Sequence, residues 1–293
     1  MHADELETDE ALVRRLLAAQ FPQWAELPIE ALPVGGTDNV IYRLGDELSV
    51  RLPRRRDGAT VLLDRELEWL PKLAPLLPLT VPAPVARGAA GEGYPNEWAI
   101  YTWLDGEDAA SVPLDLPRAA VDLAALLAAL GRIDPAGGPP PGNRGGPLRP
   151  RDEPTRAAIA ALGDAIDAAA VTAAWEAALA APEWDRPPVW IHGDLDARNL
   201  LVRDGRITGV LDWGCACVGD PACDVKVGWA VLDAETRPIF RELLEIDDAT
   251  WARGRGWALS QAVLALPYYL HTYPVIVEQA RRWLDEALAD TGV

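Results

Sequence analysis

Four polar residues stand at fixed intervals in the stretch WIHGDLDARNLLVRDGRITGVLDWG, residues 190–214: His192, Asp194, Asn199 and Asp212. Asp194 is a carboxylate that can accept a proton. An amide, Asn199, follows five residues on, and a second carboxylate, Asp212, lies thirteen beyond that. The set suits the transfer of a phosphoryl group. One carboxylate orients the attacking hydroxyl, while the amide and the other carboxylate hold magnesium on nucleotide phosphates. Any one of these residues alone reads as a turn or cap residue. The combination at this spacing is what points to chemistry.

Such a set needs rigid supports. Residues 189–191 and 200–202 are short apolar runs that read as strands flanking the Asp194 loop. Gly205 then turns the chain, and residues 207–211 deliver Asp212 to the same edge. Upstream, residues 5–21 place Leu6, Leu12, Val13, Leu16 and Leu17 near helical spacing. Residues 40–44 and 48–52 read as strands joined at Gly45-Asp46. Residues 59–74 read as a helix ended by Pro75 and Pro78, and residues 81–86 and 98–103 as two further strands. Beyond Pro117 the composition changes. Residues 117–131 form an Ala/Leu helix, and the Pro- and Gly-rich stretch 134–154 is loop. A loop that long in a compact domain hints at function. Residues 155–181 read as an Ala-rich helix and 224–290 as mostly helical. The expected architecture is α/β (α+β), with a small β-rich lobe over residues 1–104 and a larger, mostly helical lobe over 105–293.

At 293 residues the chain has room for two lobes, and 49% hydrophobic residues with a mean hydropathy of -0.01 fit a soluble globular protein. No apolar run approaches the roughly 18 residues that cross a bilayer. The start, MHADELETDE, lacks the basic and apolar regions of a signal peptide. The expectation is a cytoplasmic protein with no membrane partner. A net charge of -18 argues against nucleic acid as a partner. It serves solubility, and it is compatible with a cationic substrate drawn into an acidic cleft. Cys215, Cys217 and Cys223 are odd in number, which argues against a disulfide framework, and their spacing is not that of a zinc site. They read as reduced, mostly buried side chains.

HGDLDARN and LDWG, followed by GDPACD at residues 219–224, resemble the aminoglycoside phosphotransferase family, which shares the protein-kinase-like two-lobed fold. GGTDNVIYRLGDELSVRLPRR, RELEWLPKLAPLLP, GPPPGNRGGPL and DDATWARGRGWAL resemble segments of that family's actinobacterial members, so the likeness covers most of residues 30–285. The resemblance implies that Asp194 is the catalytic base-like residue and that Asn199 and Asp212 are magnesium ligands. It makes His192 a framework residue of the catalytic loop and puts ATP or GTP between the lobes. It also implies an antibiotic acceptor, with an aminoglycoside as the named family substrate.

Kinase-like sites need a cation on the third strand, paired with a helix glutamate. The chain has only two lysines, Lys72 and Lys226, and neither lies on a strand after the glycine loop. Arg51 occupies the family's lysine position, with Glu66 as the best helix partner. Arginine is no geometric equivalent of lysine, but it holds phosphate bidentately and stays charged. The loop over residues 35–39, with Gly36, Thr37 and Asn39, would lie over the phosphates. Residues 101–104, with Thr102 and Leu104, would offer backbone groups to the purine.

Two positions depart from the family. Where members often have His-Pro-Gly after Asp-Leu, this chain has Asp196-Ala197-Arg198, and the lysine that protein kinases place two residues after the catalytic aspartate is Asp196. Arg198 either neutralises charge on the transferred phosphoryl group or pairs with Asp196 or Asp194 as scaffold. Trp213 stands where phenylalanine is common. Asp220 and Asp224 read as helix-cap residues, with contact to the active site the lesser alternative for Asp224. Aromatic and acidic residues of the helical end, among them Trp257, Tyr268, Tyr269, His271 and Glu278, would suit a cationic, hydroxylated substrate or simply pack helices.

The expected function is therefore transfer of the γ-phosphate of magnesium-bound ATP or GTP to a hydroxyl of a small molecule, an aminoglycoside or other antibiotic. A kinase for a choline-, homoserine- or sugar-like metabolite would have the same machinery. The presence of all three polar site residues argues against a non-catalytic nucleotide-binding regulator, and the absence of an Ala-Pro-Glu segment end argues against a macromolecular substrate.

Overall fold

The computed structural model describes residues 5–32, 38–56, 59–270 and 272–290. The chain divides into two compact units. Unit 1 takes Met1–Pro75, Thr80–Gly106 and Gly209–Gly214; unit 2 takes Leu76–Leu79, Glu107–Thr208 and Cys215–Val293. Strands dominate the first and helices the second, an α+β architecture.

Unit 1 contains α1 (Glu10–Gln20), β1 (Ile29–Ala31), β2 (Asn39–Leu44), β3 (Leu48–Pro53), α2 (Ala59–Leu73), β4 (Pro84–Gly88) and β5 (Trp98–Thr102). The helix expected from residue 5 begins only at Glu10. Asp9 caps it, its carboxylate accepting from the Leu12 N–H at 2.6 Å. Ahead of that cap the Leu6 N–H bonds across to the Arg54 carbonyl, which holds the segment outside the helix. The strands form one antiparallel sheet in the order β1-β2-β3-β5-β4. Three-residue β1 is too short for alternation to reveal it. β4 starts later than the apolar run at 81, at Pro84, a first strand position where proline is tolerated.

The strand period of two sorts the sheet's residues between its faces. Tyr42, Val50, Leu52, Trp98 and Ile100 pack with Leu12, Val13, Leu16 and Leu17 of α1 in one apolar core. Burial of that kind, at roughly 25 cal/mol per Å² of apolar surface, holds the sheet flat against its helix. The alternate positions, Arg51 on β3 with Ala99 and Tyr101 on β5, are turned to the other face, where the candidate phosphate clamp lies.

Unit 2 contains β6 (Glu107–Asp108), α3 (Leu116–Arg132), α4 (Asp152–Leu162), α5 (Ala168–Ala180), β7 (Val189–Ile191), β8 (Leu200–Arg203), β9 (Arg206–Val210), β10 (Cys217–Gly219), α6 (Ala222–Val225), α7 (Val227–Ala230), α8 (Arg237–Leu243), α9 (Asp248–Tyr269) and α10 (Pro274–Ala289). The last residues of β9 fall in unit 1. Two small sheets form: β10 beside β7, and β6-β8-β9. Asp204 and Gly205, at φ of 53° and 74°, make the tight hairpin between β8 and β9.

The single helix expected over 155–181 is two. Gly163, at φ 49°, ends α4, and Asp167 caps α5 by accepting from the Ala170 N–H at 3.0 Å. The loop expected over 134–154 closes earlier, in a 3-10 turn at Arg149–Arg151 that leads into α4. Trp175, Trp257, Leu148, Ile191, Cys217 and Cys223 share a core, and all three cysteines are free. Among the described residues no helix is long and apolar enough to cross a membrane.

Candidate active site

β7 pairs with β10, Ile191 opposite Cys217, and ends at the buried His192. The next turn is fixed from a distance. The Asp224 carboxylate, on α6, accepts from the His192 N–H at 2.6 Å and from the Gly193 N–H at 2.8 Å. Burial pushes the Asp224 pKa up, opposed by His192, those two N–H groups and Lys226. Gly193 has φ of 85°, and a Cβ there would come within 2.6 Å of the Cys215 carbonyl oxygen, so only glycine fits. Asp224 thus holds the His192-Gly193 turn that leads into Asp194, beyond the capping role its sequence context suggests. Asp224→Ala is expected to cost about 2–6 kcal/mol, since two buried N–H groups at about 1–3 kcal/mol each lose their acceptor. Urea unfolding measures it; a loss below about 1 kcal/mol would contradict the assignment.

Asp194 follows, its side chain 25% exposed. Its N–H donates to His192 Nδ1 at 3.1 Å. Its Oδ1 lies 3.4 Å from an Arg144 guanidinium nitrogen and 3.7 Å from Lys226 Nζ. Oδ2 has no hydrogen-bond partner among the described residues. Burial alone would raise the Asp194 pKa, but Lys226, Arg144, Arg198 and His192 outweigh it and hold the carboxyl far below the ordinary range. Lys226 is fully buried and donates to Gln261 Oε1 on α9 at 2.8 Å. Neither Arg144 nor Lys226 carries a sequence spacing that links it to Asp194. The signals were the long loop holding Arg144 and the rarity of lysine.

Asn199 closes a 3-10 turn, Ala197–Asn199, which brings its Nδ2 to the Asp194 carbonyl at 2.8 Å. That leaves the amide oxygen as a neutral oxygen donor. The buried Asp196 caps the turn, accepting from the Arg198 N–H at 2.8 Å and from the Arg198 guanidinium at 2.7 Å. Arg198 is therefore paired with Asp196. Burial lowers its pKa, but Asp196 and then Asp194 raise it further, so it stays charged.

In unit 1 one carboxylate gathers three partners. Glu66, on α2, accepts from Arg51 NH1 at 3.3 Å and from the Trp213 N–H at 2.8 Å on Oε1, and from the Tyr101 hydroxyl at 2.6 Å on Oε2. The Arg51 guanidinium lies 4.4 Å from the Tyr101 ring centre, and its Nε has no hydrogen-bond partner among the described residues. Asp212 adopts φ of 61°, a conformation uncommon outside glycine, just before Trp213. A concavity of unit 1 is lined by Asn39, Arg51, Glu66, Tyr101 and Asp212 together. Gly36 and Thr37 lie outside the described residues, as does His271. The Thr102 N–H donates to the Ala83 carbonyl at 2.9 Å and its hydroxyl accepts from the Ala83 N–H at 2.9 Å, so both are spent within unit 1. Leu104 follows Trp103, whose N–H donates to the Glu47 carbonyl at 2.7 Å.

Magnesium carried on a nucleotide takes only one or two protein oxygens beside phosphates and water. Asn199 and Asp212 each carry a hard oxygen of the type such an ion takes. Among the described residues no group of three or more His, Cys, Asp or Glu side chains forms a self-contained metal cage.

Known proteins share this fold. The GDP complex of wild-type aminoglycoside 2'-phosphotransferase-IIIa aligns with a TM-score of 0.76 at 21% identity, covering 97% of this chain and 99% of that one. Macrolide 2'-phosphotransferase MphH from Brachybacterium faecium aligns with a TM-score of 0.60 at 25% identity, covering 96% and 97%. The uncharacterized protein YcbJ of Bacillus subtilis (strain 168) is 42% identical over 73 residues, which are 24% of this chain and 22% of that protein. The fold is protein-kinase-like, as the motifs imply. The model of the phosphotransferase enzyme family matches residues 29–257, a span that holds both Arg51 and the whole Asp194 loop, and the chain belongs to that family.

Proposed function

We propose that the protein transfers the γ-phosphoryl group of ATP or GTP to a hydroxyl of a small antibiotic. The observation that carries this is the Asp194 carboxylate: one oxygen is held by two cations and the other is open. Family relatives named for aminoglycosides and macrolides support an antibiotic acceptor, and structures solved with GDP support a nucleotide donor. Three free cysteines fit a reducing compartment such as the cytoplasm.

In the proposed reaction Arg51 holds the nucleotide phosphates, with Glu66 fixing its direction. Asp194 Oδ2 accepts the hydrogen bond of the acceptor hydroxyl and aims its lone pair at the γ-phosphorus. The acceptor oxygen bonds to phosphorus as the bridging oxygen leaves with the nucleoside diphosphate, and the hydroxyl proton passes through Oδ2 to solvent. A carboxyl held so acidic is a weak base, so its contribution is orientation, which suits a loose transition state with little charge on the nucleophile. Magnesium, held by Asn199 and Asp212, would neutralise charge on the β- and γ-phosphates. Arg198 adds positive potential beside the same carboxylate.

The test is a panel of aminoglycosides, macrolides, peptide antibiotics and amino alcohols with MgATP or MgGTP, read by nucleotide consumption. Turnover on the order of 1–100 s⁻¹ is expected with at least one hydroxylated antibiotic. Turnover only with metabolites would remove the antibiotic assignment. Thermal stabilisation by MgATP without any turnover would instead support the nucleotide-binding regulator.

A further inference from the structure

A second guanidinium beside the catalytic loop lacks a counter-charge. Arg151, at the start of α4, donates from Nε to Ser260 Oγ on α9 at 2.9 Å and from NH1 to the Asn143 carbonyl at 3.2 Å. Its guanidinium stacks 4.5 Å from the Trp257 ring centre. Ser260 is itself tied to Thr155 Oγ1 at 2.8 Å. Three contacts, from Ser260, Trp257 and the Asn143 carbonyl, therefore hold Arg151 in place, yet among the described residues no carboxylate pairs with it. The buried arginines Arg51, Arg237 and Arg253 each have one, in Glu66, Glu286 and Asp220. Burial pushes the Arg151 pKa down to about 10, with the neighbouring Arg144 pushing the same way.

Arg144 converges on the same Asn143 carbonyl at 3.4 Å while its other arm reaches Asp194. Its buried Nε has no hydrogen-bond partner among the described residues. Lys226 shares the Asp194 oxygen. Two cations thus hold one carboxylate oxygen, and Arg151 adds a third on the carbonyl that Arg144 shares, in a chain whose net charge is -18. The next carboxylate, Asp224, is occupied by two backbone N–H groups.

We propose that Arg144 and Arg151 form an anion subsite, and that the acceptor oriented by Asp194 is a hydroxylated carboxylic acid rather than a polycation. The inference rests on Asp194 orienting the acceptor. Two guanidiniums anchored on a common carbonyl present planar N–H donors suited to a carboxylate. A polycationic acceptor would set its ammonium groups against the same charges, a repulsion that discriminates against it.

The test keeps the intact protein saturated with Mg²⁺ and a non-hydrolysable ATP analogue. Sodium sulfate, an oxyanion small enough to enter any carboxylate site, is titrated while arginine side-chain Nε resonances are followed by NMR. The Arg144 and Arg151 signals are expected to move along one saturating curve. Arg151→Met should weaken the apparent affinity at least about tenfold, Arg151→Lys should recover part of it, and the surface variant Arg156→Gln should leave it unchanged. No shift, or equal affinity in Arg151→Met, overturns the subsite.

A second arm compares gluconate, sorbitol and glucamine, which share a polyol chain and differ in terminal charge, as acceptors. A carboxylate preference that collapses in Arg151→Met supports the proposal. Faster turnover of glucamine, or equal loss with all three, overturns it while leaving phosphoryl transfer intact. Sulfate binding that depends on Arg151, with no acceptor phosphorylated anywhere, would instead sink the phosphotransferase assignment and leave the subsite standing.

Discussion

Asp194→Ala is expected to lower kcat on the order of 10³-fold or more, with the KM for nucleotide little changed. The loss falls on kcat because the missing group aims the acceptor and does not hold the phosphates. Removing it leaves Arg144 and Lys226 facing each other without their shared oxygen, so part of the effect could come from a disturbed loop. Asp194→Asn separates the two causes, since it keeps the volume and one oxygen. Its melting temperature is expected to stay nearer wild type while its kcat stays low. Lys226→Met gives the complementary case: it removes one partner of an ion pair, which costs stability by leaving Asp194 less compensated, and it releases Oδ1. A fall in kcat larger than that of a variant of equal stability loss would identify Lys226 as a positioning residue. Steady-state kinetics beside thermal melts decides all three, and near-wild-type turnover of Asp194→Ala would remove Asp194 from the reaction.

Arg51→Met is expected to lower kcat/KM for nucleotide by roughly 10²-fold or more, about 3 kcal/mol of transition-state stabilisation. Arg51 is the cation in the concavity shared with Asn39 and Asp212, and its Nε is buried with no hydrogen-bond partner among the described residues. The variant also strands Glu66 in a buried setting, which costs stability on its own. Arg51→Lys keeps the charge against Glu66 but loses the planar fork. It should restore stability more fully than kcat/KM, because lysine offers a point charge where arginine offers two parallel donors. An Arg51→Met protein within about threefold of wild type in kcat/KM would place the phosphates elsewhere.

The parts of this protein legible in sequence are those that short-range rules govern. Asp194, Asn199 and Asp212 stand out because their spacing is chemical, and Arg51 and Glu66 because the family resemblance points to a strand cation and its helix partner. The fold class followed from the change from alternating to helical periodicity. Asp224, Arg144 and Lys226 were not legible as a group, because they reach His192, Gly193 and Asp194 from segments thirty or more residues away in either direction. No local pattern encodes such a meeting; only the packing of α4, α6 and α9 creates it. Helix starts and breaks failed for a related reason. Asp9 and Gly163 override apolar periodicity through a single cap or a single positive φ.

Glu66 has one more consequence. Its three bonds tie α2 to β3, to β5 and to the segment after β9, yet all three end on the same two oxygens. They cannot be lost one at a time by moving the helix: a displacement that frees Arg51 also releases Tyr101 and the Trp213 backbone. The Tyr101 hydroxyl, its pKa raised by burial and then by Glu66, stays protonated and keeps donating. The face of unit 1 that carries Arg51 and Glu66 is consequently cooperative, either assembled whole or dismantled whole. A phosphate ligand that binds only the assembled form would then stabilise a helix, two strands and a distant backbone turn at once, through mass action on a single equilibrium.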